Sequence, residues 1–266
     1  MIGAIIGDIV GSRFEWHNIK TKQFKLFHDR CEFTDDSVMT LAVAKAILEC
    51  NGNVARLPDQ TVKCMQEIGQ HYPDCGYGGH FLHWIYADDP QPYNSWGNGS
   101  AMRVSPVAWA ARDLEECVAM SEAVTAVSHN HPEGIKGAVA IAAATFLALH
   151  GSTKDSIKEA IESLCGYDLS FTLDSIRDEY SFDVSCQGTV PPAIVAFLES
   201  ADYEDAIRNA ISIGGDSDTL AACTGAIAEA FYGVPAMMRD FAETYLDARL
   251  DEILTEFEKA FPAKII

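Results

Sequence analysis

Apolar residues recur at helical spacing along most of this chain. Intervals of three and four residues between apolar positions mark one face of a helix, and they alternate with mostly short turns. The pattern predicts an all-α fold, organised as one compact bundle. The segments predicted to be helical are 2–10, 38–48, 58–72, 101–111, 115–128, 135–150, 154–164, 194–198, 204–211, 220–231 and 237–261. Residues 18–33 lack a clear period and are expected to form a loop that shapes a cleft, while 167–183 are too mixed to assign.

The first apolar segment, 2–10, carries a glycine at every fourth position, namely Gly3, Gly7 and Gly11. On a helix these glycines share one face, which would let a second helix pack closely against it. A buried strand is the alternative, because short apolar runs are ambiguous. Asp8 is costly to bury in such a segment unless it is bonded. It either caps a neighbouring helix or lies beside a metal site.

Oxygen-bearing side chains collect directly before segment 220–231. The stretch 213–219 reads Ile-Gly-Gly-Asp-Ser-Asp-Thr, in which two glycines permit a sharp turn. Asp216, Asp218 and Thr219 then offer carboxylate and hydroxyl oxygens at a helix N-terminus, the ligands that Mg²⁺ and Mn²⁺ prefer. A simpler interpretation is that Asp216 or the serine after it only caps the helix.

A second cluster of the same kind precedes segment 38–48, where Thr34, Asp35 and Asp36 follow one another. It too would be interpreted as a cap if it stood alone. A cap uses one oxygen, however, and the remaining carboxylates would repel one another. Two such clusters therefore favour an arrangement in which the two helix ends face each other and hold one or two divalent cations.

Two glycine-rich stretches are candidate substrate walls. Residues 97–100 precede segment 101–111, and free backbone N–H groups at a helix N-terminus bind anions. Arg103 either supports that anion site or pairs with an acidic neighbour. Residues 72–79 form an aromatic, glycine-rich loop that is either a plain connector or a wall for the substrate, with Tyr77 and Gly78 at its centre.

Composition bounds the possible partners. The chain has 266 residues, of which 48% are hydrophobic, and no linker-like or repetitive tract, so residues 1–266 are predicted to form one domain. The formal net charge of -20 argues against direct binding to nucleic acid or to an anionic membrane, because the field of the protein would repel phosphate. An anionic substrate must then be met locally, by metal ions and backbone amides.

Targeting signals and cysteines predict the compartment. No charged-then-apolar leader follows Met1, and no apolar run is expected to be long enough to span a bilayer. Eight cysteines are scattered without a Cys-x-x-Cys pair, which argues against a zinc ribbon and for reduced thiols. We therefore expect a cytoplasmic protein.

Four stretches together resemble the ADP-ribosylglycohydrolase family. They occur in the family's order and span nearly the whole chain: Gly3–Glu15, Phe33–Ser37, Gly97–Arg103 and Gly214–Thr219. A further stretch, 186–193, is similar to a family segment at the adenosine end of the ligand and places two prolines at a predicted helix entrance. The resemblance implies an orthogonal multi-helix bundle and two bound Mg²⁺ or Mn²⁺ ions.

The resemblance also implies roles for individual residues. Asp218 would bridge the two ions, and Glu15 would act as general acid or base, so that Glu15, Asp35 and Asp218 form the catalytic set. The metal ligands would be Thr34, Asp35, Asp36, Asp216, Asp218 and Thr219. The residues in contact with ADP-ribose would be Gly97, Asn98, Gly99, Ser100 and His129, with Tyr77 and Gly78 as further candidates.

The implied activity is metal-dependent hydrolysis of the glycosidic bond between ADP-ribose and an acceptor. The acceptor would be a protein side chain or a small molecule. Two other functions remain open. One is a Mg²⁺-dependent phosphohydrolase of nucleotide diphosphates, because the same ions suit phosphoryl transfer. The other is a non-catalytic, crystallin-like protein that only binds ADP-ribose.

Overall fold

A computed structural model describes the chain from Met1 to Ile266. Helices account for all of its regular structure, apart from two isolated β-bridges, which confirms the all-α prediction. The α-helices are Ile2–Ser12 (α1), Asp35–Cys50 (α2), Leu57–Gly69 (α3), Gly79–Ile85 (α4), Ser105–Ala110 (α5), Leu114–Ala126 (α6), Pro132–Leu149 (α7), Lys154–Cys165 (α8), Leu173–Ile176 (α9), Cys186–Leu198 (α10), Tyr203–Ile211 (α11), Ser217–Tyr232 (α12), Ala236–Glu243 (α13) and Ala248–Ala260 (α14).

The centre of the bundle is the pair formed by α1 and α12. A methyl group at Gly11 would lie 2.5 Å from the Cα atom of Asp218, and one at Gly7 would overlap the carbonyl of Ala221. Only glycine allows this approach, so the helix interpretation of the first segment is confirmed, and the strand alternative is wrong. The close packing brings the end of α1 that carries Asp8 to the N-terminus of α12.

Helix α7 runs through the interior and packs against α5, α6, α8, α10 and α12. Its 18 residues have a mean hydropathy of 1.3, enough in length and composition to cross a membrane. The expectation that no apolar run reaches that length is therefore wrong. The helix is apolar because 67% of that segment is buried inside the protein. One continuous core joins it to α1 and α14.

The predicted helix starts depart furthest from the structure at α5 and α10. The segment predicted as 101–111 begins only at Ser105, because Pro106 suits the first turn of a helix and marks its start. Asn98–Ser100 form a short 3₁₀ turn instead.

Helix α10 begins at Cys186, where Ser185 caps it, so its two prolines lie inside the helix and not at its entrance. Proline has no N–H to donate to the carbonyl four residues earlier. For Pro192 that carbonyl belongs to Gly188, and it accepts a hydrogen bond from the Tyr180 hydroxyl instead, at 3.0 Å.

The C-terminal segment predicted as 237–261 is two helices, α13 and α14, with Asp247 capping the second. The turns are also not short everywhere, because long connections occur at 13–34 and, on either side of the one-turn helix α9, at 166–172 and 177–185. Lys20 in the first of these loops links it to the loop after α9 and to the turn before α12, because it donates to the carbonyls of Tyr180 and Ile213, both at 2.6 Å. These loops contribute Glu15, Trp16, Phe182 and Val184 to the lining of the cleft, and residues 18–33 contribute none.

Candidate metal centre and active-site cleft

The N-termini of α2 and α12 meet, as the two oxygen clusters predict. The Thr219 hydroxyl donates to Asp36 Oδ2 at 3.2 Å, across 183 residues of sequence. Asp216 stands at the N-cap position of α12, but its side chain makes no capping hydrogen bond. Asp218 Oδ1 accepts only from the N–H of Thr219 next to it, at 3.0 Å. Capping therefore does not explain these carboxylates.

Carboxylate oxygens gather in two overlapping groups. Oxygens of Asp8, Asp36 and Asp218 all lie within 4.8 Å of one another, and so do oxygens of Glu15, Asp216 and Asp218. Asp218 belongs to both groups. This is the position that a bridging ligand between two cations would occupy.

Asp8 accepts hydrogen bonds from residues at the N-terminus of α2. Its carboxylate accepts from the backbone N–H of Thr34 at 2.9 Å, from the Thr34 hydroxyl at 2.7 Å, and from the N–H and hydroxyl of Ser37. These bonds satisfy N–H groups at the start of the helix and fix the orientation of Thr34. Asp8 is thus a capping residue of a neighbouring helix, as one alternative had it, and it also belongs to a carboxylate group.

Asp35 lies at the edge of the cluster, outside both carboxylate groups. Its N–H donates to the carbonyl of Cys75 at 2.8 Å. A methyl group at Gly76 would lie 2.9 Å from Asp35 Oδ1, and Gly76 has a φ of 114°, which favours glycine. The 72–79 loop therefore closes directly over this carboxylate, which favours the wall interpretation of the loop.

The electrostatics of this cluster fit divalent cations. Asp8, Asp36, Asp216 and Asp218 are buried, and none of them forms a salt bridge with a Lys, Arg or His side chain. Asp36 Oδ1 is buried without any hydrogen-bond partner. Carboxylate and hydroxyl oxygens without a protein cation are the donor set that Mg²⁺ or Mn²⁺ binds.

The pKa values of these groups also indicate a cation site. Burial raises the pKa of Asp8 to about 6, and burial together with the charges of Asp8 and Asp216 raises that of Asp35 to about 8. The pKa values of Asp36 and Asp218 also lie well above their usual range, again mainly because of burial. A cation would stabilise the ionised form of each group.

Glu15 is half-buried at the mouth of this cluster. Burial, and after it the charge of Asp216, raises the pKa of Glu15 to about 7. A carboxyl group with that pKa can both give and take a proton near neutral pH. Its side chain lines the same cleft as Asp36 and Asp218, so its position is compatible with the predicted acid–base role.

A cleft of about 420 Å³ opens beside the cluster. Its rim carries Trp16 and Phe182, whose rings stack with centroids 5.1 Å apart. Gly78 lines the cleft as predicted, but Tyr77 does not: its ring packs against Phe81, and its buried hydroxyl has no partner. Gly79, from the same predicted loop, also lines the cleft, and the residues in the walls that the sequence did not indicate are Trp16, His80, Phe81, Tyr93, Ser95, Met102, Phe182 and Val184.

The glycine loop forms one wall of the cleft. Gly97 and Gly99 line it, while Asn98 donates to Asp216 Oδ2 at 2.6 Å and so is bound to the carboxylate cluster. Ser100 lies behind the wall, where its hydroxyl donates to the carbonyl of Gly134 at 2.8 Å. Because the loop leads into a 3₁₀ turn, the prediction that it opens an α-helix and uses its dipole is wrong.

Arg103 and His129 lie at the floor of the cleft, and both are buried. The Arg103 guanidinium forms no salt bridge with any acidic side chain, so the pairing alternative is wrong. It lies 5.1 Å from the centre of the Phe81 ring. Burial lowers the pKa of Arg103 to about 10, and burial followed by the charge of Arg103 lowers that of His129 well below its usual value.

Comparisons with known proteins agree with this site. Residues 1–264 match the family model of the ADP-ribosylglycohydrolases. The ADP-ribosylhydrolase ARH3 of Homo sapiens is 25% identical over an alignment that covers 92% of this chain and 88% of that protein. ADP-ribosylarginine hydrolase Tri1 of Pseudomonas putida (strain GB-1) is 29% identical, over 55% of this chain and 41% of the relative.

The fold is matched as well. A solved structure described as an ADP-ribosylglycohydrolase-related protein complex superimposes with a TM-score of 0.72 at 21% identity, covering 97% of this chain and 95% of its own. The structural similarity covers nearly the whole bundle. The match to the family model includes both oxygen clusters and the glycine loop. The chain is a member of the ADP-ribosylglycohydrolase family.

Proposed function

We propose that this protein is a divalent-metal-dependent hydrolase that cleaves the glycosidic bond between ADP-ribose and an acceptor. The observation that carries the proposal is the meeting of two carboxylate groups at Asp218, with Glu15 at the mouth of the same cleft. The residues proposed to hold two Mg²⁺ or Mn²⁺ ions are Thr34, Asp35, Asp36, Asp216, Asp218 and Thr219. Asp8 acts behind them by holding Thr34.

Cleavage at ribose passes through an oxocarbenium-like transition state, in which the leaving group needs a proton and water needs activation. Divalent cations at such a site orient substrate hydroxyls and lower the pKa of water. Glu15, with a pKa near neutrality, moves the proton. Asn98 holds Asp216 in place through its hydrogen bond.

The other wall of the cleft suits the anionic part of ADP-ribose. Gly97 and Gly99 leave room for close approach of a diphosphate, and His129 lies beside both of them. Beneath them, Arg103 supplies a positive charge that no acidic side chain neutralises. Although the protein has a net charge of -20, this wall of the cleft would attract an anion locally.

The names of the relatives bear on the acceptor. The human relative is named an ADP-ribosylhydrolase, and the P. putida relative an ADP-ribosylarginine hydrolase. We therefore propose an ADP-ribosylated protein side chain as the first class of substrate, with arginine linkage to be tested first. ADP-ribosylated small molecules form the second class.

The test is a panel of ADP-ribosylated peptides and small molecules that differ in the linkage, incubated with Mg²⁺ or Mn²⁺. We expect free ADP-ribose as the product, loss of turnover in EDTA, and recovery when metal is returned. Release of AMP or phosphate would instead support the phosphohydrolase alternative. Binding of ADP-ribose with no turnover on any linkage would support the non-catalytic alternative.

A further inference from the structure

A chain of three buried side chains reaches the cleft from below. Arg103 Nη2 donates to Ser128 Oγ at 2.7 Å, and Ser128 Oγ lies 2.8 Å from His129 Nδ1. Ser128 is 0% exposed, Arg103 1% and His129 5%. All three side chains are therefore held within the protein, and of the three, Arg103 and His129 line the cleft while Ser128 does not.

The direction of the second hydrogen bond follows from counting donors. The guanidinium can only donate, so Ser128 Oγ is the acceptor in the first bond. The serine hydroxyl must then donate its own hydrogen, and His129 Nδ1 is the only acceptor within its reach. A buried O–H without an acceptor is costly. The hydroxyl therefore donates to Nδ1, which must carry no proton.

The proton of a neutral imidazole then lies on Nε2. Arg103 disfavours a second proton on the ring by its charge, in addition to the effect of burial. Nε2 makes no hydrogen bond within the protein and faces the glycine loop: a methyl group would lie 3.3 Å from it at Gly99 and 3.6 Å from it at Gly97. Any larger side chain at Gly99 would crowd this N–H.

We propose that Arg103 and Ser128 are positioning residues that hold His129 with its proton on Nε2, so that the cleft presents one fixed hydrogen-bond donor to an oxygen of ADP-ribose. Gly99 keeps that donor accessible. The ligand's identity rests on the proposed function, whereas the proton's location rests on the hydrogen bonds alone. The uncompensated charge of Arg103 makes the same wall favourable for the anionic diphosphate.

The test is a ¹⁵N-histidine NMR measurement, with the His129 signals assigned through His129→Asn. In the wild-type protein near neutral pH we expect a protonated Nε2 and an unprotonated Nδ1, and we expect the Nε2–H signal to shift when ADP-ribose is added. Ser128→Ala should release this preference and weaken ADP-ribose binding by about 3- to 10-fold, the effect of one hydrogen bond. Ser128→Thr keeps the hydroxyl and should retain the tautomer.

Two further variants isolate the effect. Gly99→Ala should weaken binding while leaving the tautomer unchanged, because it crowds the donor without touching the chain that sets it. Ser121→Ala, a matched control, removes a buried serine that bonds only the carbonyl of Cys117 and should change neither.

A proton on Nδ1 in the wild-type protein would overturn the proposal, as would Ser128→Ala binding ADP-ribose as tightly as wild type. Failure of the wild-type protein to bind ADP-ribose at all, with the proton found on Nε2, would instead reject the proposed function and leave the tautomer established.

Discussion

The cleft buries charges of opposite sign in two regions. The acidic region (Asp8, Glu15, Asp36, Asp216 and Asp218) has carboxylates with no salt-bridge partner, and the arginine region (Arg103, Ser128 and His129) has a guanidinium with no acidic partner. Each region alone would destabilise the fold, because buried charge is costly without a partner. Neither region neutralises the other through a direct ion pair.

The difference between the regions indicates what each one binds. The acidic region offers only oxygen acceptors and so suits cations. The arginine region offers donors, the Nε2–H of His129 and a nearby positive charge, and so suits an anion. A substrate with a diphosphate at one end and ribose hydroxyls at the other would meet both regions at once. Perturbing each region separately should therefore produce distinct defects.

The largest effect is expected for Glu15→Gln in the acidic region. The amide keeps the shape but cannot exchange the proton, so turnover should fall by about 10²–10⁴-fold with ADP-ribose affinity nearly unchanged. Turnover and ligand binding measured on the same preparation would show this split. Glu32→Gln, an exposed carboxylate at the far end of the same loop, is the matched control and should behave as wild type. Near-normal turnover of Glu15→Gln would assign proton transfer elsewhere.

A smaller effect of a different kind is expected for Arg103→Met in the arginine region. Met can fill the space against Phe81 without the buried charge. Affinity for ADP-ribose should fall about tenfold, as expected of one unit charge acting over about 12 Å at an effective dielectric of about 20.

Thermal stability of Arg103→Met should stay the same or rise, because replacing an unpaired buried charge by an apolar group is often neutral or stabilising. Calorimetric titration and melting curves would measure both quantities. Arg112→Met, at an exposed arginine outside the cleft, is the control. A variant that is less stable but binds normally would make Arg103 a structural residue only.

The smallest effect is a pH dependence of stability that comes from the acidic region and from Asp35 at its edge. The folded-state pKa values of Asp8 (about 6), Glu15 (about 7) and Asp35 (about 8) lie above those of the unfolded chain. The folded protein therefore binds more protons between about pH 4 and pH 8. In EDTA, the melting temperature should fall by several degrees as the pH rises from about 6.5 to 8, above the range in which unfolding protonates His129.

Saturating Mn²⁺ should abolish most of this decline, since the cation stabilises the ionised carboxylates. Arg103 adds nothing to it, because its pKa of about 10 lies outside this pH range, and the lowered pKa of His129 opposes the decline only below about pH 6.5. An equal decline with and without Mn²⁺ would trace the effect to surface charge rather than to the acidic region.

The acidic region could largely be predicted from the sequence. Its predicted metal ligands lie close together in sequence, directly before two helices. The glycines on one face of α1 predict the close helix packing that brings the two clusters together. The sequence left two possible roles for Asp8, and in the structure Asp8 both caps α2 and belongs to one carboxylate group. Local sequence carries this information because each cluster is contiguous.

The arginine region could not be predicted in the same way. The burial of Arg103 depends on tertiary packing, and its link to Ser128 joins elements 25 residues apart. The rim residues Trp16 and Phe182 come from two loops without period, so no pattern indicated their stacking. The prolines of α10 favoured a helix start that is too late, because the structure keeps both inside the helix and the carbonyl freed by Pro192 accepts from Tyr180 in the preceding loop.

Melting curves of the wild-type protein and Asp218→Asn, each with and without Mn²⁺, test the central claim most directly. Mn²⁺ at 100 times its dissociation constant should raise the wild-type melting temperature by about 5–10 °C. Without metal, Asp218→Asn should melt at or above the wild-type protein, because one repelling carboxylate is gone. Its response to Mn²⁺ should nearly vanish, together with its activity. A variant destabilised equally in both conditions would contradict the account and reduce Asp218 to a structural residue.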